Sequence, residues 1–203
     1  TITTHHIAAY LTYMLERINL ERDIHFYTNT TIDTLDYSGT SLNSGSKVVL
    51  AAYGEVIRTL AATVPDCYKN LQAFENAQLV MPGVIVLQTR QFSDYTAAAK
   101  EMQVLNEQLV TKKDQTNTTP FVIIADNASF VAEQLNNFLW VTFTRCNPSH
   151  DIYGIESFTT NKHWGCNGPL IFDARIKPHH APPVEKDAST ERKIDRLFGK
   201  GGS

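Results

Sequence analysis

Two short apolar runs, Gly83 to Leu87 and Phe121 to Ala125, bracket a segment from Asp94 to Val110 whose Tyr95, Ala98, Met102, Leu105 and Leu109 recur at helical spacing. Uninterrupted apolar strands suit a sheet covered on both faces. Strand, helix, strand in that order is the βαβ unit of a parallel sheet, whose crossover is almost always right-handed. The pattern therefore directs the chain to an α/β fold.

The flanking sequence adds further elements. Ile7, Tyr10, Leu11, Met14, Leu15 and Ile18 form the stripe of an amphipathic helix, with Thr3 or Thr4 placed to cap it. Asp23 to Thr28 is β-branched and aromatic, a strand pattern, and the Thr/Asp/Ser/Gly-rich stretch to Gly45 reads as turns. Lys47 to Tyr53 is apolar throughout and predicts a strand covered on both faces. Ser129 to Arg145 reads as one helix capped by Ser129, burying Val131, Leu135, Phe138, Leu139, Thr142 and Phe143. After Asn147 the texture turns to loop residues, aromatics and histidines, interrupted by a strand pattern at Pro169 to Asp173. A last short helix, Ser189 to Phe198, capped by Ser189 and with Glu191 near its start, carries Ile194, Leu197 and Phe198, which require a surface to cover. There is no internal repeat, and the candidate linkers are Asp36 to Gly45 and Thr111 to Thr119.

Composition narrows the function classes. The 203 residues carry a net charge of −3, which gives no general attraction to phosphate backbones or anionic lipid, so nucleic acid is not an expected partner. No apolar run nears the roughly 20 residues of a membrane span, and the start lacks the pattern of a signal peptide. The expected location is the cytoplasm, without stable membrane insertion. Cys67, Cys146 and Cys166 are an odd set at wide spacing, which suits reduced thiols better than a disulfide framework. The opening without Met directly into a helical pattern reads as a cut edge, and Gly199 to Ser203 reads as a flexible tail.

Chemistry-bearing motifs are few. His5-His6 and His179-His180 invite a metal reading, but adjacent histidines point apart, and loop histidines bonded to backbone are the plainer expectation. His163 and Cys166 have no carboxylate at ligand spacing, and Cys166 is either a tuned nucleophile or, as is commoner, a partly buried thiol. No Gly-x-Gly-x-x-Gly, P-loop or Gly-x-Ser-x-Gly occurs. Asp126 follows an apolar strand at the edge where α/β sheets bind ligands, and its plainer role is a cap or turn carboxylate. A small metal-dependent hydrolase using His163, His179 and His180 is the weakest of the functional readings.

One ordered set of residues is more specific. Phe121-Val-Ile-Ile-Ala-Asp126 is followed by Leu135-Asn-Asn-Phe-Leu-Trp140 and then by Thr144-Arg145, Pro148 and Asp151. Downstream come Gly168-Pro-Leu-Ile-Phe-Asp173-Ala-Arg175 and Arg192-Lys-Ile-Asp-Arg-Leu-Phe198. This series resembles the C-terminal domain of the UbiD family of decarboxylases. Asp23-Ile-His-Phe26, Thr31-Ile-Asp-Thr-Leu-Asp36 and Gly45-Ser-Lys-Val-Val49 are similar to one branch of that family.

The resemblance implies a three-layer α/β/α domain with a mostly parallel or mixed sheet over residues 1–203, ending in a terminal helix and tail. It implies a longer parent enzyme, a carboxy-lyase that decarboxylates aromatic or α,β-unsaturated acids reversibly and without oxidation, the namesake acting on 3-polyprenyl-4-hydroxybenzoate in ubiquinone biosynthesis. The cofactor would be prenylated FMN, with a divalent metal (Mn or Mg) and K+. Losing CO2 from an sp2 carbon leaves a carbanion-like centre, so the reaction needs an electron sink and a positioned acid. The family's Arg-Glu-Glu/Asp set has no counterpart here, so no catalytic residue, metal or bound cofactor is expected in this chain, which alone should be inactive. Its implied partners are further copies of itself and the flavin-binding domain of the same polypeptide. Its implied role is to build the oligomer and a lid, with Phe158, His163 and Trp164 on the Phe158 to Gly168 loop as substrate neighbours. Many members place Thr-Lys before the apolar strand, the lysine reaching the flavin phosphate. Here the pair is Thr119-Pro120, leaving Lys112 or Lys113 as substitutes from the preceding loop. The rival reading is a non-catalytic module of the same fold that only self-associates.

Overall fold

The computed structural model describes residues 3–39, 41–181 and 187–199. The N-terminal Thr1-Ile2 and the tail beyond Gly199 lie outside the described residues. The elements run α1 (Ile7–Leu15), β1 (Ile24–Thr30), β2 (Gly45–Leu50), β3 (Glu75–Met81), β4 (Val84–Gln88), α2 (Tyr95–Leu109), α3 (Lys113–Thr116), β5 (Phe121–Ala125), α4 (Ala128–Glu133), α5 (Leu135–Arg145), α6 (Pro148–Asp151), β6 (Ile152–Gly154), β7 (Ser157–Thr160), β8 (His163–Cys166), β9 (Leu170–Asp173) and α7 (Ala188–Phe198).

The central sheet has the order β3-β4-β5-β9-β6. β4, β5 and β9 are parallel and in register, while β3 and β6 close the edges antiparallel, so the sheet is mixed. The expected βαβ unit is present as β4-α2-β5. Strand alternation sends two apolar sets to opposite faces. Ile85, Leu87, Val122, Ile124 and Ile171 meet Met102, Leu105 and Leu109 of α2. On the other face, Val84, Val86, Phe121, Ile123, Leu170 and Phe172 meet Met14 and Leu15 of α1, Val131 of α4, and Phe138 and Val141 of α5. Helices on both faces of one sheet give the three α/β/α layers.

Asp94 opens α2 in extended conformation, and its Oδ1 accepts the Ala97 N–H at 2.9 Å, filling one of the four donors a helix start leaves free. Asp94→Ala is expected to lower stability by about 1 kcal/mol, read as a shifted urea midpoint with unchanged slope. Between β3 and β4 the chain reverses through Pro82-Gly83. Gly83 has φ +80°, and a Cβ there would come within 2.7 Å of Leu60 Cδ2, so this turn requires glycine.

Four local expectations need correction. β2 is not a strand covered on both faces: it pairs antiparallel with β1 in a separate two-stranded sheet, with Val49 exposed while Val48 and Leu50 pack on the core. An apolar run marks burial but does not name its neighbour. The helix expected over Ser129 to Arg145 breaks at Gln134, which is extended at φ −155°, ψ 152°, giving α4 and α5 separate phases. Phe138, Val141 and Thr142 are buried in α5, whereas Phe143 faces outward, 51% exposed. The caps also move: Asn127, not Ser129, caps α4, Asp187, not Ser189, caps α7, and neither Thr3 nor Thr4 supplies a side-chain cap to α1. Finally, β3 went unread, because Glu75-Asn-Ala-Gln-Leu-Val-Met81 lacks the β-branched and aromatic signature of a strand.

Candidate functional site

Because β4, β5 and β9 are parallel, the segments leaving them emerge at one carboxyl edge, the side on which open α/β sheets carry ligands. β9 supplies Asp173 at its end, then Arg175 and Lys177, which alternate along extended chain and return to the interior. Asp173 is 0% exposed, and Arg175, Lys177 and Asp151 are each 1% exposed. Arg175 grips Asp173 with two hydrogen bonds, Nε to Oδ1 at 2.9 Å and Nη2 to Oδ2 at 2.6 Å. Its Nη1 donates to Glu101 Oε2 at 2.8 Å and to the Arg90 carbonyl at 3.1 Å. Arg90 Nε binds the other oxygen of Glu101. Lys177 Nζ donates to the Asp173 carbonyl at 2.6 Å and the Arg145 carbonyl at 3.1 Å, with Asp151 Oδ1 at 3.2 Å. Phe92 lies over both cations, 5.5 Å from the Arg175 guanidinium and 5.6 Å from Lys177 Nζ.

The buried Arg175 and Lys177, with the exposed Arg90 at the rim, thus compensate three buried carboxylates. Burial opposes the charge on Arg175, but hydrogen bonds and attraction from Asp173 and Glu101 outweigh it and raise its pKa. Asp151 is pushed up to about 6, mainly by burial, against the pull of Lys177 and the Asn147 N–H and with Asp173 adding to the rise. The cluster is a clamp that ties β4, α2, α5 and β9 together.

Asp126 leaves β5 at the same edge. Its Oδ2 accepts the Ile176 N–H at 2.8 Å, and Arg145 Nη1 stands 3.6 Å away, so it is a loop-fixing carboxylate and not the cap of α4. Beside it opens a groove of about 620 Å³. The loop of Asp33, Leu35, Asp36 and Tyr37 lines it with Trp140, Phe143 and Arg145 of α5 and with Ile176, His180 and Ala181 from the chain beyond β9. Trp140 is 52% exposed. Burial and the neighbouring His179 hold His180 down to about 4, so it is neutral at pH 7.

The three lid candidates lie elsewhere. Phe158, His163 and Trp164 sit on the β7-β8 hairpin, whose last residue Cys166 donates its backbone N–H to the Leu20 carbonyl at 3.1 Å just before the amino end of β9. His163 Nε2 is 3.0 Å from the Glu21 carbonyl oxygen, and its ring is 5.8 Å from that of His25. Trp164 meets Phe26 edge-on at 5.3 Å. The hairpin is therefore rooted at the amino edge and packs on β1, across the sheet from the charge cluster.

The remaining candidates are also placed. Cys166 is buried, its Sγ 3.3 Å from the Gly168 carbonyl, and burial pushes the thiol up to about 12, so it is no thiolate nucleophile. Among the described residues no three His, Cys, Asp or Glu side chains converge as metal ligands would, and His163 is not brought together with His179 and His180 in such a group. Thr119 and Pro120 offer no free donor to a flavin phosphate. Thr119 is buried with its hydroxyl on Tyr68 Oη at 2.7 Å, Pro120 brings no donor, and Lys113 is paired with Glu156 at 2.7 Å. Lys112 precedes the four-residue α3 and stands near Cys67.

Comparison with known proteins is consistent with this frame. Residues 1–52 match the family model described as the 3-octaprenyl-4-hydroxybenzoate carboxy-lyase C-terminal domain, UbiD_C. The chain is 32% identical over 187 residues, 91% of its length, to a Chlamydia pneumoniae protein named as one of the subunits of 4-hydroxybenzoate decarboxylase. The likeness to the UbiD C-terminal domain thus lies in the first quarter of the chain. A Chlamydia caviae relative without an assigned function is 30% identical over 206 residues, 98% of this chain. The chain spans 30% and 33% of those two proteins, about a third of their length. Among solved structures, vanillic acid decarboxylase of Sedimentibacter hydroxybenzoicus in its open form aligns with 64% of this chain and 30% of its own, at 20% identity and a TM-score of 0.40. Among the described residues no helix is long and apolar enough to cross a membrane.

Sequence reading found the β4-α2-β5 unit and the Asp126 edge but missed the charge cluster and the groove. Two signals were available. Asp173, Arg175 and Lys177 alternate directly after an apolar strand, and Glu101 interrupts the apolar stripe of α2 between Ala98 and Leu105. Charges placed on a buried periodicity require partners.

Proposed function

We propose that this chain is the C-terminal part of a UbiD-like carboxy-lyase that decarboxylates aromatic or α,β-unsaturated acids, of the 3-polyprenyl-4-hydroxybenzoate type, reversibly and without oxidation, using prenylated FMN held by other parts of the polypeptide. Its own contribution is scaffolding. It associates with further copies and covers the active site of the flavin-binding domain with the β7-β8 hairpin, presenting Phe158, His163 and Trp164 and excluding water, which strengthens polar interactions beneath. The observation that carries this reading is the likeness, through nine tenths of the chain, to the chlamydial protein named for 4-hydroxybenzoate decarboxylase. The pairing of Arg175 with Asp173 and Glu101 at the carboxyl edge supports the scaffolding half, since it binds β9 to α2.

Two experiments test the proposal. The isolated chain, incubated with prenylated FMN, is expected to show no bound-flavin absorbance and to release no CO2 from 4-hydroxybenzoate or cinnamate. Stoichiometric flavin binding would overturn the division of labour. In the second, the matching third of the Chlamydia pneumoniae protein is exchanged for this chain, and the chimera is expected to keep decarboxylation. A chimera that folds and holds flavin but releases no CO2 would remove the family assignment of activity.

A further inference from the structure

Arg58 is a desolvated cation without an anion. Among the described residues the other arginines withdrawn from solvent each stand beside a carboxylate: Arg17 is 2.9 Å from Glu16, Arg145 is 3.6 Å from Asp126 and Arg175 is 2.6 Å from Asp173. Arg58 has no such partner among them, and burial lowers its pKa with no carboxylate acting the other way. Its Nη1 donates to the Leu15 carbonyl at 2.7 Å and the Ile18 carbonyl at 2.6 Å, at the carboxyl end of α1 and the turn after it. A helix end supplies only about half an elementary charge, so much of the guanidinium's charge stays uncompensated. Nη2 and Nε find no acceptor among the described residues, and Nε is enclosed. These two nitrogens form one edge of the fork, the edge with which Arg175 grips both oxygens of Asp173. Withdrawn donors on a charged group require an acceptor.

Arg58 lines a pocket of about 180 Å³ between the end of α1 and the starts of β5 and β9. Asn19, Asn117 and Asn167 line it from three separate turns. Asn117 and Asn167 are exposed and hydrogen-bond only through their backbone N–H groups, so their carboxamides are unspent, while Asn19 commits only Oδ1, to the Glu21 N–H at 2.9 Å. Glu21 is the acidic residue of the lining. Its side chain is exposed, and its carboxylate acts on Cys166 and not on Arg58. From this arrangement we infer that the pocket binds a tetrahedral oxyanion, phosphate as the free ion or as the head of a small monoester. Two oxygens take the Nη2–Nε edge of Arg58, and the others take carboxamide N–H groups of Asn117, Asn167 and Asn19. A planar carboxylate is satisfied by the fork alone, whereas donors from three further turns suit oxygens that point in several directions. With roughly 30 Å³ for each water, the pocket holds a phosphate head and a few waters, and the rest of an ester extends into solvent. The bound anion ties the end of α1 and the 57–58 segment to the α3-β5 turn and the loop before β9.

The test is titration calorimetry of the whole chain with inorganic phosphate and, separately, with glycerol phosphate, at constant ionic strength so that general screening cancels. One saturable site per chain is expected, with a Kd on the order of 1 mM or below. Arg58→Lys keeps a charge for the α1 carbonyls but loses the fork, and is expected to bind about tenfold more weakly or worse. Asn117→Asp with Asn167→Asp places two carboxylates at exposed positions of the lining. That variant is expected to lose binding while its circular dichroism and urea midpoint stay those of the unaltered chain, so it keeps the test sound if the Arg58 variant folds poorly. Saturation by both ligands assigns the site to the phosphate head, and saturation by one of them identifies the source; each result sustains the inference. Displacement of phosphate by an equal concentration of acetate overturns the tetrahedral selectivity. No saturable binding by the unaltered chain, or undiminished binding by either variant, overturns the site and leaves Arg58 as a cap of α1 alone.

Discussion

Replacing Arg175 with methionine should cost about 3–5 kcal/mol of folding stability, although methionine fills much the same space. The loss comes from what stays behind. Asp173 is fully enclosed, and without Arg175 its two oxygens lose the guanidinium bonds at 2.9 and 2.6 Å, while Glu101 keeps only Arg90. Two carboxylates would then share a desolvated site with the single ammonium of Lys177. Arg175→Lys restores the charge but not the planar fork that spans Asp173, Glu101 and the Arg90 carbonyl at once, so an intermediate loss is expected. The clamp also explains where the loss should appear. Arg175 bridges the loop after β4, the middle of α2 and the end of β9, so unfolding should stay cooperative, with a lower urea midpoint and an unchanged slope. A midpoint shift equivalent to less than about 1 kcal/mol for Arg175→Met would show that the edge relaxes enough to hydrate the freed carboxylates, and the clamp interpretation would fall.

How legible this arrangement was in the sequence depends on the kind of signal. Apolar periodicity reports burial, so β4, α2, β5 and β9 could be placed from residue spacing alone, while of the α1 stripe Met14 and Leu15 are buried and Ile7 and Tyr10 are exposed. It is silent about partners. Val48 and Leu50 look like residues of a central parallel strand, yet they cover the core from a two-stranded hairpin, because nothing local distinguishes a sheet neighbour from a helix or loop lying on top. The break at Gln134 was hidden for a related reason. Glutamine is a good helix former, and only the separate docking of α4 and α5 forces it into extended backbone. That break turns Trp140 and Phe143 outward and creates a wall of the groove, so the groove was beyond reach once the two helices were read as one. The charge cluster differs again. Its members come from positions 90, 101, 151, 173, 175 and 177, and only Asp173, Arg175 and Lys177 are close enough in sequence to suggest a contact.

The second large effect concerns pH, and its sign is opposite to the usual behaviour of a paired carboxylate. Asp151 titrates at about 6 in the folded chain, above the ordinary 3.8, because burial outweighs the help of Lys177 and the Asn147 N–H, with Asp173 pushing the same way as burial. A carboxyl raised on folding binds its proton more tightly in the native state. Its stabilising contribution is complete below about pH 4 and is lost as pH rises through about 6. The interval corresponds to at most about 3 kcal/mol. His180 acts in the other direction. Burial and its cationic neighbours hold it at about 4, below its ordinary 6.5, so its contribution is complete above pH 6.5 and is lost as pH falls toward 4. The two windows overlap, and the unaltered chain should therefore show a flatter stability profile between pH 4 and 6.5 than either group alone would give. Comparison with Asp151→Asn isolates the carboxyl, since the other acids cancel in the difference. The stability of the unaltered chain minus that of Asp151→Asn should fall between about pH 4 and 6 and level off above about 7, whatever the constant offset from leaving Lys177 without its carboxylate. His180→Gln should instead make the chain relatively more stable at about pH 4.5 than at about 7. Urea midpoints across that range decide the matter, and a difference curve for Asp151→Asn that rises with pH would mean that Lys177 outweighs burial and that Asp151 is an ordinary ion-pair acid.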